Sequence, residues 1–189
     1  MTQSPVIEWL PNVKVTQDPR ARERLQRCYE IAKATSQDPH TQNGALLVCN
    51  DYIYTSDIRT WEGANRLPEW VANLPERWDR AVKLFYVEHA ERNALFDYWQ
   101  AKPVDYVPQV LYCPWYACAD CARAIIAAKV PRIVGHKQMF DKTTDRWKDS
   151  IKRAFDMFDE TGIICEVYDG KIDETNKLTN LFSGEVWNP

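Results

Sequence analysis

The 189 residues carry 24 Lys and Arg against 27 Asp and Glu, a net charge of −3, with 45% hydrophobic and 27% charged residues. This is ordinary globular composition, with length for one sizeable core, and a single domain over 1–189 is expected. It lacks the basic excess that neutralises a polyphosphate backbone, which excludes DNA or long RNA as the expected partner but leaves room for a single nucleotide held by a few arginines.

The first residues, MTQSPVIEWLPNVKV, lack the charged-then-apolar pattern of a signal peptide. No apolar run approaches the ~20 residues that cross a bilayer, so no membrane is expected and a cytoplasmic protein is. In that compartment the six cysteines are expected to be free or metal-bound.

Along the chain, Leu25, Cys28, Tyr29, Ile31 and Ala32 recur at helical spacing and predict a helix over 19–36, with Asp18 as N-cap and Pro19 at its first position. Gly44–Cys49 reads as a buried strand, and Asn50-Asp51 as a turn into a hairpin partner at Tyr52–Thr55. Residues 57–80 read as a loop, with Gly63, Pro68 and Pro75 among Trp61, Trp70 and Trp78. A helix over 88–101 follows, then a strand at 110–113, a helix at 118–129 and a strand at 132–135. An aromatic-rich helix carrying Trp147, Ile151, Phe155 and Phe158 precedes a last strand at 163–168. Strands alternating with helices predict an α/β domain with helices on both faces of a mixed sheet.

Two motifs stand on helix starts: His89-Ala90-Glu91 and Cys118-Ala119-Asp120-Cys121. A Cys-x-x-Cys at a helix N-terminus favours thiolates, because exposed amides and the positive dipole end stabilise negative charge. Alone, in a cytosolic protein, it also fits a redox pair or half of a structural zinc site, and His-x-Glu alone carries little weight. Together they make a zinc ligand set of one histidine and two cysteines, one short of the four that close a structural site; a catalytic zinc keeps that position for water. Glu91, two residues past His89, is placed to move the protons of such a water.

These motifs, with Ser36–Ala45, Gly63–Pro68 and Glu88–Ala94, resemble the deoxycytidylate deaminase family, most closely its phage-type members. The resemblance covers roughly residues 36–125. It implies a three-layer sandwich around a five-stranded sheet, one Zn²⁺ per chain held by His89, Cys118 and Cys121, and hydrolysis of dCMP to dUMP and ammonia with Glu91 as acid and base. It also implies a homo-oligomer, dCTP and dTTP as effectors acting near Gly63–Pro68, and a host-cytoplasmic location if phage-encoded. Two positions depart from the family pattern: Ala117 stands where Pro commonly precedes the first cysteine, and Asn43 where many cellular relatives have Val.

Around the motifs, Asn43 and Asn65 are candidates for substrate contact or for tying down their own turns. Trp115 and Tyr116 can stack on a base or fill the core. Of Arg66, Arg77, Arg80, Lys83 and Arg92, Arg66 and Arg92 are chosen as phosphate ligands. Cys28, Cys49, Cys113 and Cys165 read as buried thiols, a second zinc at Cys49 and Cys113 is disfavoured, and His40 and His136 read as local hydrogen-bonding residues. Competing functions are deamination of dCTP, a modified deoxycytidylate, cytidine or transfer-RNA adenosine, and a non-catalytic nucleotide-binding zinc protein.

Overall fold

A computed structural model describes residues 7–10, 12–51, 58–101, 105–175 and 177–189. Its centre is a six-stranded mixed sheet: β1 (Lys14–Val15), β2 (Gly44–Asp51), β3 (Ile58–Ala64), β4 (Tyr106–Tyr112), β5 (Arg132–His136) and β6 (Ile164–Tyr168). The spatial order is β1-β6-β5-β4-β2-β3. β2 runs antiparallel to β3 and β4, while β4, β5, β6 and β1 pair in parallel.

The central strands β2, β4 and β5 are apolar on both faces, so their alternate residues enter different cores. Ala45, Leu47 and Cys49 of β2, Leu111 of β4, Ile133 of β5 and Val167 of β6 pack under α2 (Ala90–Ala101), α3 (Ala119–Ala127) and α5 (Asp145–Thr161). Leu46, Val48, Tyr112 and Val134 face α1 (Pro19–Thr35) and Met139 of α4 (Lys137–Asp141). Period-two alternation between two buried helical layers is what yields the three-layer sandwich.

Two paired glycine positions bring helices close to the antiparallel edge. Gly44 pairs with Ala64, and a Cβ on Gly44 would collide with the carbonyl of Cys28 in α1. Gly63 pairs with Ala45, and a Cβ there would collide with Ala90 and Ala94 of α2. The start of α2, and with it His89 and Glu91, is thus seated directly on β3.

Several expectations need correction. The sheet has six strands, not five, because the two-residue β1 adds itself to β6 through Lys14–Glu166 and Val15–Val167. The segment 57–80 is not all loop: β3 occupies 58–64 and a 3-10 turn spans Pro75–Trp78. β3 is an edge strand whose first three residues are exposed, so Ile58-Arg59-Thr60 shows no apolar alternation. The expected partner Tyr52–Thr55 lies outside the described residues. The first helix stops at Thr35 with Ser36 as C-cap, α2 begins at Ala90, and α3 ends at Ala127, just before Lys129 takes a left-handed conformation (φ 55°). Not anticipated were α4 and a C-terminal hairpin, β7 (Asn180–Phe182) with β8 (Glu185–Trp187). Among the described residues no helix is long and apolar enough to cross a membrane.

Candidate active site

The site is assembled at the N-terminal ends of α2 and α3. Asn65, the first residue after β3, accepts a hydrogen bond from the Ala90 amide and donates to the Thr41 carbonyl, both at 3.0 Å. Asn93 donates to the Ala64 carbonyl at 2.7 Å. These bonds hold the start of α2, and His89 immediately precedes it. Cys118 is the N-cap residue of α3 and Cys121 lies in its first turn, while the Ala119 amide donates to Ser150 Oγ of α5 at 3.0 Å.

Cys118 Sγ and Cys121 Sγ are 3.7 Å apart, and each lies 3.5 Å from His89 Nδ1. A tetrahedral zinc with ordinary Zn–S and Zn–N bonds has edges of roughly 3.8 Å between sulfurs and 3.6 Å from sulfur to nitrogen. The three donors therefore form one face of a zinc tetrahedron. They are the one such group found among the described residues.

The electrostatics agree with a cation here. Hydrogen bonding with Cys121, then with His89, brings the Cys118 thiol down to about 4, toward the thiolate form that binds metal. Cys121 moves up, through its hydrogen bond with Cys118 and then its burial. Burial resists charge on His89, but Cys118 outweighs it and raises the imidazole. Glu91 is 2% exposed, and burial lifts its carboxyl to about 7. That is the range in which a carboxyl can both take up and release a proton near neutrality. A cation at the three donors favours its ionised form.

Two neighbouring chambers share His89 in their walls. The inner one is lined by Asn43, Glu91, Tyr116, Cys118 and Ile151, the outer one by Asp38, His40, Arg80, Lys83, Arg146 and Ser183. Asn65, His89, Trp115 and Trp147 line both. Trp147 meets His89 edge-on at 5.8 Å and Trp115 at 5.5 Å, forming an aromatic wall beside the metal ligands.

The residues singled out from the sequence do not all converge. His89, Glu91, Cys118, Cys121, Asn43, Asn65 and Trp115 do. Both amide atoms of Asn65 are engaged with backbone, so it positions α2. Asn43 donates its amide to Cys113 Sγ at 3.2 Å. Trp115 donates its indole N–H to Thr143 at 3.0 Å, which sets the ring's orientation. The Tyr116 hydroxyl is turned into the core, donating to the Ile133 carbonyl at 3.1 Å. Arg66 is directed at Asp97 of α2, 3.1 Å away. Arg92 is ion-paired with Glu88 and lines a neighbouring recess with Asp120. The cations of the outer chamber are instead Arg80, Lys83 and Arg146. Lys83 is paired with Asp38, whose side chain is fully buried, leaving Arg80 and Arg146 as its excess positive charge. Arg146 and Trp147 escaped the sequence reading because they sit in the first turn of an amphipathic helix whose periodicity speaks for core packing. His136 is a hydrogen-bonding residue, but across the fold: it bonds Tyr29 and the Gly170 carbonyl, both at 2.8 Å.

Residues 19–137 match the family model of the cytidine and deoxycytidylate deaminase zinc-binding region. The chain belongs to this family. Membership in a zinc-binding family, with a His/Cys/Cys group of zinc dimensions, supports zinc binding. Among curated relatives, a probable deoxycytidylate deaminase of Caenorhabditis elegans is 28% identical over 120 residues, 61% of this chain. The aligned part spans 57% of that relative's length. Among solved structures, the dCMP deaminase of cyanophage S-TIM5 is similar in its apo form (TM-score 0.52, 80% of this chain and 99% of that one). Its complex with dCMP and dUMP is similar too (TM-score 0.54, 82% and 100%). Both are 21% identical to this chain, and they show that its α/β fold is that of the deaminases.

Proposed function

We propose that the protein hydrolyses dCMP to dUMP and ammonia, supplying dUMP for thymidylate synthesis. The observation that carries this reading is the outer chamber, with its excess of two arginines, sharing His89 and Trp115 with the Glu91 chamber. The cations of the outer chamber suit a doubly negative phosphate, and the aromatic wall of the inner one suits a flat ring.

A zinc ion on His89, Cys118 and Cys121, one per chain, would supply Lewis acidity that makes water a nucleophile near neutral pH. Glu91 then takes a proton from the water that attacks C4 and delivers it to ring N3. It transfers the second proton to the departing amine, so that the C–N bond breaks as the C4 carbonyl forms. Its burial keeps bulk water from competing for those protons. Trp115 and Trp147 wall the ring, and Asn43, its N–H₂ engaged with Cys113, offers its carbonyl oxygen to the ligand. Arg80 and Arg146 take the phosphate, in place of the Arg66 and Arg92 that their sequence neighbourhood suggested. Through the family likeness the same reading includes a homo-oligomer responsive to dCTP and dTTP.

The test is turnover of dCMP, followed by ultraviolet absorbance and ammonia release. Glu91→Gln should lower kcat about 10²- to 10⁴-fold, the usual contribution of a general acid–base group, while zinc content stays unchanged. Full activity in that variant overturns the role of Glu91. Rapid turnover of dCTP or a modified deoxycytidylate with none of dCMP overturns the substrate.

A further inference from the structure

The C-terminal hairpin lies outside residues 19–137, which match the family, yet its turn forms part of the outer chamber. Ser183 and Gly184 both take positive φ (53° and 86°), the two-residue turn whose twist suits paired strands. The hairpin is tied to the segment that precedes β2. The Gln42 amide donates to the Leu181 carbonyl at 2.8 Å, and the Gly184 amide to the His40 carbonyl at 2.7 Å. The Ser183 amide donates to Thr41 Oγ1 at 3.2 Å. At its base, Trp187 packs edge-on against Tyr29 at 5.4 Å.

Two further contacts run from the turn to groups that face the chamber. Arg80 donates from Nη2 to the Ser183 carbonyl at 3.2 Å. Phe182, 6% exposed, meets Trp115 edge-on at 5.0 Å. Arg80 is otherwise an exposed side chain on a surface turn, whose freedom would have to be given up on every binding event. One of its five N–H groups on Ser183 orients the planar fork and leaves the others for an anion.

We infer that the C-terminal hairpin is a specificity-determining element of this site: its turn positions Arg80 for a 5′-phosphate, so that the protein prefers a nucleoside monophosphate over the bare nucleoside. This rests on reading the outer chamber as a phosphate pocket. Ser183 and Phe182 are positioning residues, acting through Arg80 and Trp115.

The experiment is equilibrium binding of dUMP and of 2′-deoxyuridine to the zinc-loaded full chain by calorimetry, which needs no turnover. Gly184→Val forces a β-branched residue into a left-handed turn with no side-chain neighbour to clash with, so it perturbs the turn's backbone alone. It should weaken dUMP about tenfold, the loss of one charge-assisted contact, and leave deoxyuridine unchanged. Gly184→Ala, a smaller change at the same left-handed position, should lower the dUMP preference in the same direction; it serves if the valine variant does not fold. In an Arg80→Ala background, Gly184→Val should cause no further loss, because the turn acts through that arginine. Val186→Ser, on an exposed hairpin residue away from the chamber, should bind as the parent does. Equal losses for both ligands, or an unchanged dUMP preference in folded variants, overturn the inference and leave the proposed activity standing. A parent protein that binds dUMP no better than deoxyuridine overturns both the inference and the phosphate reading.

Discussion

The two chambers that share His89 are built in opposite ways. The inner one is carried by two helix starts seated on the sheet, where Gly63 lets α2 touch β3 and Asn65 and Asn93 anchor its first turn. The outer one is collected from the segment around 38–41, the turn around 80–84, the start of α5 and the C-terminal hairpin, joined by surface hydrogen bonds and one buried ion pair. The proposed function thus puts bond-making chemistry on elements seated on the sheet, where close placement can be held, and ligand recognition on loops.

This division is broken most severely at the metal. Cys121→Ala removes a fully buried ligand from a three-ligand set. Zinc measured by elemental analysis should fall toward background, and kcat/KM for dCMP should fall about 10³-fold or more, since Lewis-acid activation accounts for several kcal/mol of barrier. Retained zinc with full turnover would detach the proposed chemistry from this group. Secondary structure, followed by circular dichroism, should persist, because the helices also bury Ala94, Leu95 and Ile125 in the core.

Acid should act on the other side of the sheet. His136 is fully buried; burial lowers its imidazole from 6.5 to about 4, and its neutral ring bonds Tyr29 and Gly170 and packs 5.8 Å from Trp187 at the base of the hairpin. Asp169 and Asp141 oppose that lowering without overcoming it. The unfolded chain binds this proton first, so the contribution is complete above pH 6.5 and is lost as pH falls toward 4, about 3 kcal/mol in all. Chemical denaturation at pH 7 and pH 4.5 should show most of that loss in the parent. The difference should shrink in His136→Gln, which has no such proton to gain. An equal pH dependence in both proteins would assign the acid sensitivity elsewhere.

The same division explains what was readable in the sequence. His89, Glu91, Cys118 and Cys121 announce themselves because each pair lies within one helical turn, so spacing along the chain is spacing in space. The sandwich was legible for a similar reason: Leu46 and Leu47 both belong to cores, and an uninterrupted apolar strand implies helices on each face. The cations that line the outer chamber were not legible. Arg92 is close to His89 in sequence, but helical geometry turns it to Glu88; Arg146, 57 positions along from His89, is brought into the chamber by tertiary packing alone. β3 was hidden because a sheet edge binds by its backbone, and Arg59, Thr60 and Glu62 carry no apolar signal. The C-terminal hairpin gave only Ser183-Gly184 as a turn signal, with nothing in sequence to connect it to Thr41 or Arg80.

The mildest test compares the two outer arginines. Arg80 is pre-oriented by the Ser183 carbonyl, whereas Arg146 rests over the Trp147 ring, 5.6 Å from its centroid, and is exposed. Each should contribute to binding of the phosphate and little to events at C4, so Arg80→Ala and Arg146→Ala should raise KM for dCMP with kcat nearly unchanged. The expected rise is about tenfold for Arg80, held by the Ser183 carbonyl, and about threefold for Arg146, whose guanidinium rests over the Trp147 ring instead. Both effects should weaken as salt is raised from 50 to 500 mM, because surface charge is screened over a few ångströms at the higher concentration. A fall in kcat equal to the fall in kcat/KM would instead place the arginines in the transition state, and the separation between a chemical inner chamber and a recognising outer one would have to be abandoned.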